Sequence, residues 1–259
     1  MKPKILIKIG GRAFADRDGF RELTQAMQSV HADIALVHGG GSEISQALQE
    51  AGREFVFVDG VRATNAEDIE IVERVLSETI NGRIAGYLSE FGVNCTRLSG
   101  KSDSLLIAHK LLRNGKDIGH VGEVVDVNPE VIWRAWEHGS VPVVSPISAN
   151  EQGVTFNVNA DTAAAALAVG AQCTDLVYFS DVPGVLQDGD SVVPSMSIDA
   201  GKFLIQTGII SGGMVAKMES IFHAIEHGVQ RVHITQWQGT DTLHHLLDGN
   251  DIVKTTIHK

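Results

Sequence analysis

The chain has 259 residues, 43% of them hydrophobic and 20% charged, a composition typical of a globular protein with a substantial core. Its formal net charge of −11 argues against a nucleic-acid partner. The apolar runs are too short to cross a membrane, and the chain starts with a predicted strand instead of a signal peptide. Cys95 and Cys173 lack metal or redox spacing, so we expect buried free thiols in a cytoplasmic protein.

The first predicted strand, residues 4–9, carries Lys8 near its end and runs into Gly10 and Gly11. A lysine this late in a buried strand is costly unless it meets an anion, although an edge-strand lysine could also reach solvent. The two glycines favour the anion, because they expose backbone N–H groups beside the charge.

A glycine-rich stretch, residues 38–42, joins a predicted strand over residues 34–37 to a predicted helix over residues 43–51. A tight turn alone would need one glycine, whereas this turn has three: Gly39, Gly40 and Gly41. Bare N–H groups at the start of a helix, together with its dipole, predict a site for a carboxylate or a phosphate.

Asn65 and Asp68 predict a capping box at the start of a long helix with one apolar stripe. Arg62 lies just before this cap, where it either binds an anion or is solvated. Further on, Ser99–Ser102 resembles the end of a P-loop, but Cys95 occupies the position of the first glycine, which excludes that motif. Residues 121–127 predict a hairpin strand.

The second half begins near residue 150. Asn157, Asn159 and Asp161 cluster at the start of an alanine-rich helix, and N-capping explains only one of them. A strand over residues 175–180 leads into Asp181–Leu186, at the strand end where open α/β sheets bind ligands. Residues 208–214 then lead into a helix that carries Lys217, and residues 231–234 form the last clear strand.

Strands alternate with helices throughout, which predicts an α/β fold: a three-layer sandwich with a mostly parallel central sheet. Two motifs are rejected. His223–His227 matches the H-x-x-E-H zinc pattern but has no evident third ligand, so we interpret it as an exposed helix face. Ile44 occupies the last glycine position of a dinucleotide fingerprint that would begin at Gly39.

The remaining candidates include no histidine and no nucleophilic serine or cysteine, but many groups that bind anions. This set suits phosphoryl transfer to a carboxylate, which is already a nucleophile and needs no base. Two lysines with a carboxylate between them would hold two anions together and neutralise charge as the phosphoryl group moves.

At these residues the chain resembles the amino acid kinase family. The matching segments cover nearly the whole chain: Lys8–Gly11, His38–Ser42, Gly60–Arg62, Leu98–Ser102, Gly119–Asn128, Asn157–Asp161, Ser180–Val185 and Gly213–Lys217. The chain departs from the family pattern at Ala63 and in the tail, residues 254–257. The resemblance implies a carbamate kinase-like fold and ATP-dependent phosphorylation of the side-chain carboxylate of N-acetyl-L-glutamate, in arginine biosynthesis.

The resemblance also implies residue roles. Lys8 and Lys217 would stabilise the transition state, and Asp161 would organise them. Gly40, Gly41, Arg62 and Asn157 would bind the amino acid, and Gly10 and Gly11 a phosphate. The nucleotide would contact Asp181, Val182, Pro183, Gly184, Val185, Leu186, Ile209, Ile210 and Ser211. Magnesium would arrive with ATP, without metal ligands from protein side chains. Residues 1–150 would form the amino-acid-binding and dimerisation lobe, and residues 151–259 the nucleotide-binding lobe of one continuous sheet.

Two alternatives stay open: a kinase of carrier-bound aminoadipate or glutamate, and a non-catalytic amino-acid sensor on the same fold. An acidic carrier would need a basic patch, which is not evident, and a sensor would have lost one of the charged candidates. The first strand begins by Lys4, so we expect no preceding helix of the kind by which arginine-inhibited relatives form hexamers. We therefore expect a homodimer that arginine does not inhibit. We expect its interface on the helix after Asn65, near Ile71 and Val75, together with the neighbouring strand.

Overall fold

The computed structural model describes residues 2–10, 14, 16–58, 60–187, 191–249 and 252–259. Its strands, numbered in chain order, are β1 (Lys4–Ile9), β2 (Asp33–His38), β3 (Phe57–Val58), β4 (Val61–Arg62), β5 (Cys95–Ser99), β6 (Leu106–Arg113), β7 (Lys116–Val127), β8 (Val141–Ser145), β9 (Ile147–Ala149), β10 (Thr155–Val158), β11 (Asp175–Phe179), β12 (Leu186–Gln187), β13 (Ser191–Val192), β14 (Ser195–Ser197), β15 (Arg231–Thr235) and β16 (Thr255–His258). The helices are α1 (Arg17–Ser29), α2 (Gly41–Glu50), α3 (Ile69–Glu73), α4 (Asn81–Glu90), α5 (Glu130–Glu137), α6 (Ala160–Gly170), α7 (Ile198–Gln206), α8 (Gly213–Glu226) and α9 (Thr242–Asp248).

An eight-stranded sheet in the order β14-β16-β15-β11-β1-β2-β8-β5 forms the middle layer. From β15 to β5 all neighbours pair in parallel, whereas β16 pairs antiparallel with β15. Because alternate side chains point to opposite faces, Ile5 and Ile7 of β1 enter one apolar core and Leu6 the other. Helices α1, α2, α4 and α9 contribute to the first core, and α5, α6, α7 and α8 to the second. The predicted three-layer sandwich with a mostly parallel sheet is confirmed.

The C-terminal tail adds a strand that the sequence analysis missed. Strand β16 lies between β14 and β15, and its β-branched residues suit a sheet. Thr255 is fully buried; its hydroxyl donates to Val193 O and accepts from Val185 N, both at 2.7 Å. The tail, where the sequence departs from the family pattern, therefore packs into the sheet and braces the segment around Val185.

A second, smaller group of strands lies beside the sheet. Strands β6 and β7 pair antiparallel, which confirms the predicted hairpin, and β10 pairs with both β7 and β9. Gly119 of β7 forms a parallel bridge to Thr64, and a Cβ at Gly119 would come within 2.1 Å of Thr64 O. This close approach, at a φ of +83°, requires glycine and fixes the chain just after Arg62 against the hairpin.

The helical region after Asn65 is only partly as predicted. Asn65 Oδ1 does accept hydrogen bonds from Glu67 N and Asp68 N. The capping box is wrong, however, because the Asp68 carboxylate accepts from Arg53 Nε at 2.8 Å. A π-helical segment, Arg74–Ile80, separates α3 from α4. Val75, expected on an exposed apolar face with Ile71, is buried.

The burial of Val75 follows from helical spacing. It lies three residues after Val72, so both side chains face the same core as Leu76. Ile71 is half-buried and packs at the edge of this core. Ile71 and Val75 therefore do not form the exposed apolar patch on which the predicted interface was based.

No helix in the described ranges combines the length and apolar character that crossing a membrane requires. Cys95 and Cys173 are free thiols, as expected; Cys173 is buried as predicted, whereas Cys95, near the edge of its core, is only half-buried.

Asn81, at the start of α4, ties this helical layer to the sheet. Its amide nitrogen lies 2.9 Å from Val143 O, 3.2 Å from Leu98 O and 3.2 Å from His38 Nε2. These partners belong to β8, β5 and β2, so one buried side chain joins α4 to three neighbouring strands.

We expect Asn81→Ala to lower the free energy of unfolding by about 1–3 kcal/mol, because it leaves buried acceptors without a donor. Urea denaturation monitored by circular dichroism measures this change. Asn94→Ala, which removes the same amide from an exposed position, is the matched control. Equal stability of the two variants would contradict the role given to Asn81.

Candidate active site

Three charged side chains meet at the carboxyl end of the sheet. Lys8 comes from β1, Asp161 from the first turn of α6 and Lys217 from the beginning of α8. Lys8 Nζ lies 2.9 Å from Asp161 Oδ1, and Lys217 Nζ lies 2.6 Å from Asp161 Oδ2. The sequence proposed these residues as one set, and the structure brings all three together.

Local structure explains how Asp161 is able to pair with two lysines. Asn159 is the N-cap of α6, and its Oδ1 accepts from the backbone N–H groups of Asp161 and Thr162. Because Asn159 caps the helix, the Asp161 carboxylate is available for the two ammonium groups. One of the three polar residues at this helix start is therefore a cap, as simple N-capping would predict.

The electrostatics of this cluster favour its charged form. Burial alone would raise the pKa of Asp161, but Lys8 and Lys217 outweigh burial and hold that pKa below its usual value. Burial lowers the pKa of Lys217, and the attraction of Asp161 opposes this effect only in part. Two ammonium groups against one carboxylate leave one net positive charge in a poorly solvated place, which suits an incoming anion.

Gly10 lies directly against this cluster. A Cβ at Gly10 would come within 2.8 Å of Lys8 Nζ and 3.0 Å of Phe179 O. Any other residue would therefore displace the Lys8 ammonium group. Gly11, predicted with Gly10 to bind phosphate, lies outside the described residues.

Arg62 is a buried cation in an open cavity of about 180 Å³. Its Nη2 donates to Gly41 O at 2.9 Å and to Ser45 Oγ at 2.6 Å, which anchors the guanidinium to the first turns of α2. Its Nη1 is buried and has no hydrogen-bond partner in the described part of the protein. Such an unpaired donor is costly unless a ligand satisfies it.

Aromatic rings further fix the Arg62 guanidinium, since those of Phe55 and Phe57 lie 4.4 and 4.6 Å from its Cζ. Asn157, another predicted ligand, lines the same cavity and donates from Nδ2 to Thr64 Oγ1 at 3.2 Å. Gly40 and Gly41 also line it. The four residues predicted to bind the amino acid therefore share one cavity.

Gly40 and Gly41 of the glycine-rich turn differ in what requires glycine. A Cβ at Gly40 would come within 2.3 Å of Ile80 and 2.9 Å of Leu76, so Gly40 permits close helix packing. A Cβ at Gly41 would meet nothing within 4 Å, so packing does not require glycine there. No side chain caps α2 at Gly40, which leaves the start of this helix suited to an anion.

His38 contacts the backbone of this glycine-rich turn. No role was assigned to this histidine from the sequence. It is almost fully buried; its Nδ1 lies 3.0 Å from Gly39 O, and its Nε2 lies 3.2 Å from the Asn81 amide nitrogen. A neutral ring that donates from Nδ1 and accepts at Nε2 satisfies both contacts. Burial lowers the pKa of His38 to about 4. Its proximity to a glycine turn was the available sequence signal.

The predicted nucleotide-binding segments follow β11 and precede α8. Asp181, Ile209 and Ser211 are exposed, whereas Val185 and Ile210 are buried in the same apolar core. Of the other residues predicted to contact the nucleotide, Gly184 is buried against Thr255. The rest are half-buried: Val182, Pro183 and Leu186.

The rejected motifs have structural explanations. Lys101 of the P-loop-like segment pairs with Glu73 at 2.8 Å. In the zinc-like segment the centroids of the His223 and His227 rings lie 4.0 Å apart with the rings tilted by 33°, and Glu226 pairs with Lys202 at 3.0 Å. Within the ranges that the structure describes, no group of three or more histidine, cysteine or acidic side chains could hold a metal ion.

Comparison with known proteins gives consistent results. The chain matches the sequence model of the amino acid kinase family over residues 3–236. The acetylglutamate kinase of Caldanaerobacter subterraneus is 40% identical over 245 residues, which cover 92% of this chain and 82% of that protein. The acetylglutamate kinase of Methanocaldococcus jannaschii is 38% identical over 244 residues, with 88% and 81% covered.

Solved structures agree in fold. A Streptococcus mutans protein superposes with a TM-score of 0.80 at 28% identity, covering 100% of this chain and 99% of its own. Carbamate kinase from Giardia lamblia bound to AMP-PNP superposes with a TM-score of 0.66 at 14% identity, with 100% and 99% covered. This second likeness concerns the fold alone, and it agrees with the carbamate kinase-like architecture expected from the sequence.

The buried His38 predicts a pH dependence of stability. The unfolded state takes up a proton near pH 6.5, whereas the folded state resists it until about pH 4, so unfolding binds protons in this window. Stability should therefore fall as the pH falls from 6.5 to 4, by an amount on the order of a few kcal/mol from this residue.

His38→Gln should flatten this fall, as measured by urea unfolding at a series of pH values. His138→Gln, at an exposed position, should keep the parent's pH dependence. An unchanged slope in His38→Gln would show that other groups cause the acid sensitivity.

Proposed function

The chain belongs to the amino acid kinase family, and we propose that it transfers the γ-phosphoryl group of ATP to the side-chain carboxylate of N-acetyl-L-glutamate, forming N-acetyl-L-glutamyl 5-phosphate. Relatives about 40% identical over some nine-tenths of the chain support this acceptor. The single observation that carries the proposal is the pairing of one largely shielded carboxylate, Asp161, with two lysines, Lys8 from β1 and Lys217 from α8. This reaction belongs to arginine biosynthesis.

The cluster fits the electrostatic demand of the reaction. The acceptor carboxylate and the γ-phosphate are both anions, and they must approach each other before transfer. Lys8 and Lys217 would each stabilise negative charge on the phosphoryl oxygens as it redistributes in the transition state. Asp161 would keep the two ammonium groups apart and correctly directed, without taking part in bond formation.

The cavity around Arg62 would hold the amino acid. Its unpartnered Nη1 would donate to the α-carboxylate, while Nη2 stays anchored to Gly41 and Ser45. Asn157 and the N–H groups around Gly40 and Gly41 would bind the rest of the acetylamino acid. Gly10 and Gly11 would offer N–H groups to phosphate, next to Lys8.

ATP would lie along the C-terminal half, against residues 181–186 and 209–211. Magnesium would enter as its complex with ATP, held through phosphate oxygens, and would further neutralise their charge. We propose that residues 1–150 bind the amino acid, with Asn157 added from the second half, and that residues 151–259 bind the nucleotide, with the central sheet continuous through both.

We also propose that the protein is a homodimer, the commonest closed assembly of soluble chains. Strand β5 forms one edge of the large sheet, with α4 packed next to it, and this edge is the surface proposed for the interface. Light scattering of the purified protein should give twice the chain mass of 27.8 kDa. A monomeric or hexameric mass would contradict the proposal.

A hydroxamate assay tests the function directly, because hydroxylamine traps acyl phosphates. With MgATP the protein should give product with N-acetyl-L-glutamate and much less with glutamate or N-acetylaminoadipate. Preference for the aminoadipate compound would favour the carrier-linked alternative. Absence of turnover with all three compounds would refute the proposed kinase activity and favour a non-catalytic sensor. We expect turnover, because Lys8, Asp161 and Lys217 are all present.

Lys217→Ala should lower kcat by roughly 10²–10³-fold, in the range for loss of a group that stabilises transition-state charge. The KM values for both substrates should change much less. Lys202→Ala, which removes an exposed lysine from α7, is the control and should keep the parent's kcat. Near-parental turnover in Lys217→Ala would refute the role of this lysine.

Arg62→Lys should raise the KM for N-acetyl-L-glutamate at least tenfold and leave that for ATP nearly unchanged, because one ammonium group cannot both keep the Nη2 contacts with Gly41 and Ser45 and donate to the α-carboxylate in place of Nη1. Steady-state kinetics with each substrate varied in turn measure both constants. Arg134→Lys, on the exposed face of α5, is the control. An equal rise for both substrates would contradict a carboxylate clamp.

A further inference from the structure

Tyr178 on β11 adjoins every member of the Lys8–Asp161–Lys217 cluster. In the parallel pairing of β1 with β11, its register partner is Lys8. Its hydroxyl donates to the backbone carbonyl of Asp161 at 2.9 Å. Lys217 Nζ lies 4.7 Å from the centroid of its ring. One fully buried side chain therefore links the strand, the helix start and the ammonium group that build the site.

Packing alone does not account for a tyrosine at this position. Leu176, two residues earlier, faces the same core with a purely apolar side chain. A buried phenol costs free energy unless its hydroxyl has a partner, so the contact with Asp161 O is needed for the residue to be tolerated. That contact fixes the first turn of α6, from which the Asp161 carboxylate projects.

The ring has a separate effect on Lys217. The face of an aromatic ring attracts a cation but carries no charge, so it stabilises the ammonium group without neutralising it. A second carboxylate at this position would cancel the positive charge that the phosphoryl group requires. The tyrosine ring thus supports a desolvated cation while leaving its charge available.

We propose that Tyr178 is a positioning residue for phosphoryl transfer: its hydroxyl holds the helix turn that carries Asp161, and its ring holds Lys217. This inference rests on the proposed function. The hydroxyl and the ring make separate contributions: Tyr178→Phe removes the hydroxyl alone, and Tyr178→Leu removes both.

The titration of Lys217 gives a specific readout. The groups that face its ammonium are Asp161 from α6, Lys8 from β1 and Tyr178 itself from β11. Burial lowers the pKa of Lys217, Asp161 raises it and Lys8 lowers it. Burial also raises the pKa of Tyr178 well above its usual value, so the phenol stays neutral while the lysine titrates. Loss of the ring should lower the pKa of Lys217 further.

The experiment compares Tyr178→Phe and Tyr178→Leu with the parent, using kcat, both KM values and the pH profile of kcat. Tyr178→Phe should lower kcat about tenfold, since a misplacement of catalytic groups by about 1 Å can cost about 100-fold and loss of this one hydrogen bond should displace Asp161 by less than that. Its KM values should stay within about twofold, and the alkaline fall in kcat should stay in place because the ring remains. Tyr178→Leu should lower kcat more and move that alkaline fall to lower pH.

The matched control is Tyr87→Phe, which removes the hydroxyl of the other tyrosine of the chain, on α4. It should keep the parent's kcat and pH profile. Urea unfolding of each variant separates a loss of stability from a loss of turnover. If Tyr178→Leu does not fold, Tyr178→Phe decides the inference alone.

Two results would overturn the inference. A parental kcat in Tyr178→Phe would show that the hydroxyl does not position Asp161. An equal loss of kcat at every pH in Tyr178→Leu would show that the ring acts only by filling space. The parent protein tests the proposed function separately: inactivity of the parent refutes that function, whereas an active parent with indifferent Tyr178 variants refutes only the role of the tyrosine.

Discussion

The burial of one carboxylate between two ammonium groups is the interaction on which the site depends. Asp161 pairs with Lys8 at 2.9 Å and with Lys217 at 2.6 Å, and the three side chains are only 10–19% exposed. Ion pairs this poorly solvated stabilise only when their geometry is good, because desolvation offsets most of the Coulomb attraction. The central strand β1 and the helices α6 and α8 must therefore hold fixed positions. The core on that side of the sheet contains several buried alanines of α6, and its packing holds this helix against the sheet.

Much of this arrangement was predictable from the sequence. The alternation of strands and helices gave the three layers, because helices can cover a parallel sheet only on its faces. Lys8 was recognisable as a charge at the end of a buried strand, and Asp161 as an acidic residue beyond what capping requires. Arg62 was open to two interpretations. Its buried, unpartnered Nη1 distinguishes them, since a solvated arginine would have no orphaned donor.

Other features depend on contacts between residues far apart in the chain, which local patterns do not contain. Thr255 is buried only because β16 inserts beside β15, and Tyr178 meets Lys8 only through strand register. The glycine at position 40 has a packing reason that no turn rule supplies, since Ile80 lies against it from a π-helical segment. Asp68 matches the spacing of a capping box, yet a competing partner, Arg53, takes its carboxylate.

The placement of the two halves of the site has a consequence for local unfolding. Lys8 and Tyr178 lie on β1 and β11, adjacent strands that are both flanked by further strands of the large sheet. Backbone amides in such strands exchange with solvent mainly through opening of the whole domain. Arg62, in contrast, lies on the two-stranded ribbon β3–β4, which is outside that sheet and is linked to the β6–β7 hairpin by the Thr64–Gly119 bridge. If Arg62 binds the amino acid as proposed, opening of the ribbon alone would let that ligand enter and leave while the charged cluster keeps its geometry.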